Sequence, residues 1–118
     1  MKIIFAAYSY EEVSTQTAAL TIRGHNVTTS PSLHETFTRT IQTRPNILLI
    51  DPAKDKSLNT PCKYGLSQDI KKVSANTKII AYGSTISETD KQQEQYDATF
   101  QRHDKDEDEL VKLIEELK

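Results

Sequence analysis

Short blocks of aliphatic residues alternate along the chain with stretches in which apolar positions recur every three or four residues. The first block, Lys2-Ile3-Ile4-Phe5-Ala6-Ala7, is a short run, apolar from Ile3 onward, which predicts a strand buried on both faces. Residues 11 to 23 follow with Val13, Thr17 and Leu20 at helical spacing, and Gly24 stands where a helix most readily ends on a left-handed residue. His25 to Thr29 carries one large aliphatic residue, Val27, and reads as a short strand near a sheet edge. A second helix opens at Ser30-Pro31-Ser32, with Ser32 and Glu35 at capping-box spacing and Leu33, Phe37 and Ile41 on one stripe, and Pro45 stops it.

Asn46-Ile47-Leu48-Leu49-Ile50-Asp51-Pro52 is the clearest element. Four consecutive aliphatic residues followed by an acid and a proline are how a central parallel strand ends at the carboxyl edge of its sheet. Residues 52 to 64 then read as a loop of 13 residues with Pro52 and Pro61, longer than the usual connection of about two to six residues. A helix is expected over 65 to 76, with Leu66, Ile70 and Val73 on one face, and a strand over Thr77 to Tyr82, ended by Gly83. Ser87 to Gln95 has the position of a helix but no apolar residue, so only Ile86 and Tyr96 can pin it and a loosely held segment is expected. A last strand, Asp97 to Gln101, is built around Ala98 and Phe100. The last helix, about Asp106 to Leu117, turns Leu110, Val111, Ile114 and Leu117 inward.

Five βα units with right-handed crossovers make one doubly wound parallel sheet with helices on both faces, and the 118 residues are all used by a single domain, 1–118. No apolar run approaches the roughly 18 residues of a membrane span, and no charged-then-apolar secretion signal opens the chain, so a cytoplasmic protein without a membrane partner is expected. The single Cys62 has no partner for a disulfide and no spacing for zinc. Net charge is −2, but residues 104 to 118 hold seven acids and three bases, which leaves the other 103 residues at +2. No basic face for nucleic acid emerges. The acids Asp106 to Glu109 fall in the first turn of the last helix, where the helix dipole favours them.

Ligands of such sheets bind beyond the carboxyl ends of the strands, at the switch point beside strands one and three. This selects Ala7, Tyr8 and Ser9, Asp51 and Pro52, Gly83, Ser84 and Thr85, and Arg102 and His103. His25, His34 and His103 lie on separate elements without metal-ligand spacing. Ser9, Ser84 and Thr85 have no neighbouring base and no Gly-x-Ser-x-Gly context. Asn26-Val27-Thr28 is a glycosylation sequon by chance, since it lies within an expected strand.

In order and length of elements the chain resembles the receiver domains of bacterial two-component response regulators, best at Arg44-Pro45-Asn46-Ile47-Leu48-Leu49-Ile50-Asp51. The resemblance implies the receiver and flavodoxin-like strand order 2-1-3-4-5, and it places Asp51 at the phosphoacceptor position. It also implies an acidic pair after strand one that holds a divalent cation, a hydroxyl residue after strand four, a lysine after strand five and an aromatic residue within strand five. This chain has Ala7 and Tyr8, Gly83, Arg102 or a near neighbour, and Thr99 at those places. Ser84 lies one position from the hydroxyl site, and Glu11 or Glu12 is the nearest acid that can reach back toward a metal. A carboxylate that attacks a phosphoryl group needs its charge neutralised, and Asp51 alone holds magnesium weakly.

Three functions follow as expectations. The first is a degenerate, pseudo-receiver-like domain, not an enzyme and without catalytic or metal-binding residues, that docks on a kinase or another signalling protein. Its docking surface is the face of the fourth helix, fifth strand and last helix, or the loop 52 to 64. In that reading Asp51 is a vestigial acceptor that caps backbone groups or pairs with Arg102, Lys54 or Lys56, Tyr8 takes the space of a hydrated metal, and no cofactor is required. The second is a working single-domain regulator phosphorylated on Asp51 by a histidine kinase, which needs Mg2+. The third is a small-ligand site of flavodoxin type, disfavoured because Gly24, Gly65 and Gly83 are the only glycines and none forms a phosphate cradle. A monomer or weak dimer is expected.

Overall fold

The structure is a computed structural model and describes residues 1–55, 65–102 and 107–117. Its strands are β1 (Lys2–Ala6), β2 (Asn26–Ser30), β3 (Ile47–Ile50), β4 (Lys78–Gly83) and β5 (Ala98–Gln101). Its helices are α1 (Ser14–Ile22), α2 (Leu33–Thr43), α3 (Pro52–Asp55), α4 (Leu66–Val73), α5 (Glu88–Lys91) and α6 (Glu107–Glu116), with a 3-10 turn at Glu11–Val13 ahead of α1. All four strand pairings are parallel, as the alternation of apolar blocks and helical stretches predicts, and the order is β2-β1-β3-β4-β5, the one the receiver resemblance implies.

Because successive strand residues point to opposite faces, β1 feeds two cores. Ile3 and Phe5 join Leu20 of α1 and Leu110, Val111 and Ile114 of α6 on one face. Ile4 and Ala6 join Leu33 of α2 and Leu66 and Ile70 of α4 on the other. All four residues of β3 are buried, each contributing about 1.5–3 kcal/mol of apolar burial, so this central strand fixes the place of Asp51 immediately after it.

Several elements depart from expectation. Helix α2 buries Leu33, Thr36 and Thr40 and leaves Ile41 exposed, so its inner face is rotated from the Leu33, Phe37 and Ile41 stripe. The buried hydroxyls of Thr36 and Thr40 satisfy themselves by donating to the carbonyls four residues back, at 2.8 Å each, which lets polar residues occupy a core face. Ser32 caps the Glu35 amide, but the Glu35 side chain turns to Arg39 (2.6 Å) rather than closing a capping box. Helix α4 ends at Val73, which is exposed.

The expected loop begins as helix: α3 occupies Pro52–Asp55, with the Asp55 amide bonded to the Asp51 carbonyl at 2.9 Å. Residues 56–64, with Lys56 and Cys62, lie outside the described residues, as do His103 and Asp106. The polar stretch 87 to 95 yields only the single turn α5, yet this turn is anchored. Ser87 and Asp90 form a reciprocal capping box with both bonds at 3.0 Å, and Ile86 and Tyr96 are buried on either side as expected.

Candidate functional site at the carboxyl edge of the sheet

Beyond the end of β1, Ala7 adopts φ +62°, a left-handed conformation that costs a non-glycine residue about 1–2 kcal/mol. The turn delivers Tyr8 back into the core, where it is 2% exposed. Its ring meets Phe5 edge-on at 5.8 Å and Tyr82 at 5.9 Å, and its hydroxyl donates to the Tyr82 carbonyl at the end of β4. Burial first, then the negative charge of Asp51, push the Tyr8 phenol far above its ordinary value, so it remains a protonated donor. Tyr8 therefore acts beneath this edge, as a core residue, rather than standing in the open space above it.

Lys54 of α3 covers that ring. Its ammonium lies 4.5 Å from the ring centroid and donates to the Ala7 carbonyl at 3.0 Å and to Glu12 Oε2 at 3.4 Å. The other oxygen of Glu12 accepts from the Ser9 amide (3.3 Å) and hydroxyl (3.2 Å). Slight burial raises the Glu12 carboxyl, but the Ser9 amide, the Lys54 charge and the Ser9 hydroxyl outweigh it and hold the group below its ordinary value. Glu12 does reach back toward this edge, as its sequence position suggested, and its partners there are Ser9 and a lysine.

Asp51 Oδ1 accepts from the Ala53 amide at 2.9 Å, which is the backbone-capping role expected of it. The expected fork from Arg102 goes elsewhere: Arg102 donates to the backbone carbonyl of Glu12, and its guanidinium carbon lies 5.9 Å from the centre of the Tyr82 ring. Gly83 lies against Asp51, since a Cβ built there stands 2.8 Å from Asp51 Oδ1. Ser84 is exposed and lines, with Glu11, Glu12, Arg102 and Glu107, a shallow cleft of about 440 Å3. Thr99 pairs with Ala81, while the Phe100 ring lies tilted against Tyr82 at 5.8 Å. The structure thus brings Tyr8, Asp51 and Gly83 together, and seats Ser9, Ser84 and Arg102 along the Glu12 side. A larger groove, about 560 Å3 between α1 and α6, lies away from this edge.

One cluster was not anticipated. Asp55 is fully buried and accepts hydrogen bonds from the Ser67 amide (2.8 Å), the Ser67 hydroxyl (2.5 Å) and the Tyr96 hydroxyl (2.7 Å). It ties the turn after Asp51 to α4 and to the start of β5. Burial raises the Asp55 carboxyl above its ordinary value against the lowering effect of these donors, and it raises the Tyr96 phenol as well. In the sequence Asp55 sits within Lys54-Asp55-Lys56, a pattern that reads as solvated. Gly65 was the available signal: it has φ +55°, and its backbone lies so close to the Asp55 carbonyl that a Cβ would stand 2.2 Å from it.

No protein-family model matches the chain, and no curated protein matches it. Solved structures do. A response regulator from Thermotoga maritima superimposes with a TM-score of 0.81 at 16% identity, covering 98% of this chain and 95% of its own. The chemotaxis protein CheY4 of Vibrio cholerae gives 0.79 at 14% identity, over 99% and 98%. The response regulator TrrA of Thermotoga maritima, solved with Mg2+ and BeF, gives 0.75 at 16% identity, over 99% and 98%. The chain therefore has the fold of response-regulator receiver domains; at these identities the likeness is one of fold.

The magnesium ion bound by TrrA has a poor counterpart in the donor set here. Among the described residues no group of three or more His, Cys, Asp and Glu side chains is placed to hold a metal ion. The positions after β1 supply a backbone carbonyl and a buried phenol, and Glu12, the acid that reaches back beside the Ala7 carbonyl, is bound to an ammonium. These residues do not fit a hydrated, octahedral magnesium ion.

Proposed function

We propose that this chain is a pseudo-receiver: a single signalling domain, 1–118, that acts by docking on a protein partner and is not phosphorylated through magnesium. The observation that carries the reading is the Lys54 ammonium seated between the Ala7 carbonyl and Glu12, directly above the buried Tyr8. A receiver that accepts a phosphoryl group needs a divalent cation at that edge to offset charge on the phosphoryl oxygens, and free carboxylates to hold that cation. Here the edge holds a fixed monovalent cation, and Asp51 serves the backbone of its own turn.

The partner is a kinase or another signalling protein rather than nucleic acid or a membrane, and the protein works in the cytoplasm as a monomer or weak dimer. Its docking face is formed by α5, β5 and α6, where the capping box of α5 and the Asp55 to Tyr96 bond hold the surface in one arrangement without a covalent trigger. Asp51 is a vestigial acceptor in this reading, with Tyr8, Ser9, Gly83, Ser84 and Arg102 as its structural surroundings. Intact-mass measurement after incubation with magnesium and acetyl phosphate tests it. The unmodified chain is expected; addition of one phosphoryl group, abolished by Asp51→Asn, overturns the reading.

A further inference from the structure

Helix α1 carries no charged residue between Glu12 and Arg23, in a chain of which 27% is charged. Its apolar residues fall on both sides. Leu20 is buried in the core, whereas Ala18 faces outward, as does Ile22 with 84% of its surface exposed. Thr15, Ala18, Ala19 and Ile22 stand three and four residues apart, so they form one stripe along the helix. A surface helix normally turns charge outward, as α4 does with Lys72 and α6 with Asp108, Lys112 and Glu116. A helix that is apolar on both sides is one that is covered. The groove between α1 and α6 continues this surface, with Ala19, Ile22 and Val111 on its walls.

We infer that this face is covered by a second copy of the chain, with α1 lying antiparallel on α1 across a two-fold axis at Ala18 and Ala19. The charges around the stripe favour a copy over an unrelated occupant. Glu11 precedes the stripe and Arg23 follows it, both exposed, so antiparallel pairing brings Glu11 of each copy toward Arg23 of the other. Helix α6 runs beside α1 in the same direction, since both run back from the carboxyl edge of a parallel sheet. Arg23 is bonded to Glu115 at 2.6 Å, which sets Ala18 and Ala19 level with Leu110 and Val111. That level lies between Asp108 and Lys112, one turn apart and exposed, so the same axis sets Asp108 of each copy beside Lys112 of the other. Parallel pairing would set Glu11 against Glu11 and Arg23 against Arg23. The alanines at the crossing let the two backbones approach to about 8 Å, and Ile22 of each copy then covers Thr15 of the other. One stripe of a nine-residue helix with its rim is smaller than the roughly 800 Å2 that each partner buries in a standard interface, so the dimer is a weak one. The contact uses neither Asp51 nor α5 and β5, so its failure and the failure of the function proposed above are separate results.

Sedimentation equilibrium on the full chain, between about 10 μM and about 1 mM, is the test. Wild type is expected to pass from monomer toward dimer over this range. Ala18→Glu, which sets two carboxylates at the axis, is expected to weaken association at least about tenfold. Circular dichroism checks each fold, and if this variant does not fold, Ile22→Glu carries the same comparison. Lys112→Asp alone is expected to weaken association about three- to tenfold, and adding Asp108→Lys to it to restore the wild-type constant. A chain that stays monomeric at about 1 mM overturns the inference and leaves the face to a different protein. A dimer that Ala18→Glu leaves intact overturns it too, as does a loss in Lys112→Asp that the second substitution does not recover.

Discussion

The Asp51 carboxylate rests on the backbone of Gly83, so close that a Cβ there would stand 2.8 Å from Oδ1 and 2.9 Å from Cγ. The missing side chain at the end of β4 is thus what gives Asp51 its place. Receiver resemblance puts a hydroxyl-bearing residue at this position, and any such residue would bring its Cβ into the Asp51 carboxylate. The absence of the hydroxyl and the seating of Asp51 are one packing solution.

Restoring the hydroxyl should therefore destabilise the domain. Gly83→Thr is expected to cost about 1–3 kcal/mol in urea unfolding, as overpacking does. In an Asp51→Ala background, which removes the three crowding atoms, the same substitution should cost clearly less. Equal costs in the two backgrounds would mean that Asp51 and Gly83 are not coupled.

Tyr8→Phe removes the buried hydrogen bond from the phenol to the Tyr82 carbonyl. A loss of about 1–3 kcal/mol is expected, with the fold and the near-ultraviolet signature of the aromatic cluster retained. A neutral outcome would show that the phenol contributes no more than its ring.

Two glycines with positive φ should respond differently to alanine. Gly24, φ +88°, faces open space, so Gly24→Ala should cost only the backbone strain of about 1–2 kcal/mol. Gly65→Ala adds a collision with the Asp55 carbonyl at 2.2 Å and should cost more, with the urea midpoint as readout.

The Asp55 carboxyl is raised in the folded state from an ordinary value of 3.8. Between its unfolded and folded values the native state then binds more protons than the unfolded state. Its contribution to stability is full below the unfolded value and is lost as pH rises through the folded value. Glu12 and Glu115, both lowered, act with the opposite sign: their contribution is present above the ordinary carboxyl value and is lost as pH falls. The difference in unfolding free energy between wild type and Asp55→Asn should accordingly fall as pH rises from about 4. A difference that grows with pH would contradict the raised carboxyl.

The sheet was readable because β1, β3 and β4 are aliphatic blocks whose burial on both faces leaves no alternative assignment. Helix α2 was misjudged in its facing because threonines that bond their own helix carbonyls pass as core residues, which a count of apolar positions does not register. Among the site residues, Asp51, Tyr8, Gly83 and Arg102 follow from strand ends alone. The partners of Glu12 and Lys54 depend on the left-handed turn at Ala7 and on a helical turn where a loop was expected, neither of which leaves a periodic trace. Asp55 was hidden for the same reason: its partners Ser67 and Tyr96 lie 12 and 41 residues away.

The backbone amides of Asp51, Gly83 and Ser84 report most directly on whether this edge accepts a phosphoryl group. In an amide nuclear magnetic resonance spectrum, addition of magnesium with beryllofluoride, which mimics an acyl phosphate, should leave all three unmoved in the wild type. Saturable shifts of these amides that disappear in Asp51→Asn would contradict a receiver fold without magnesium-dependent phosphorylation.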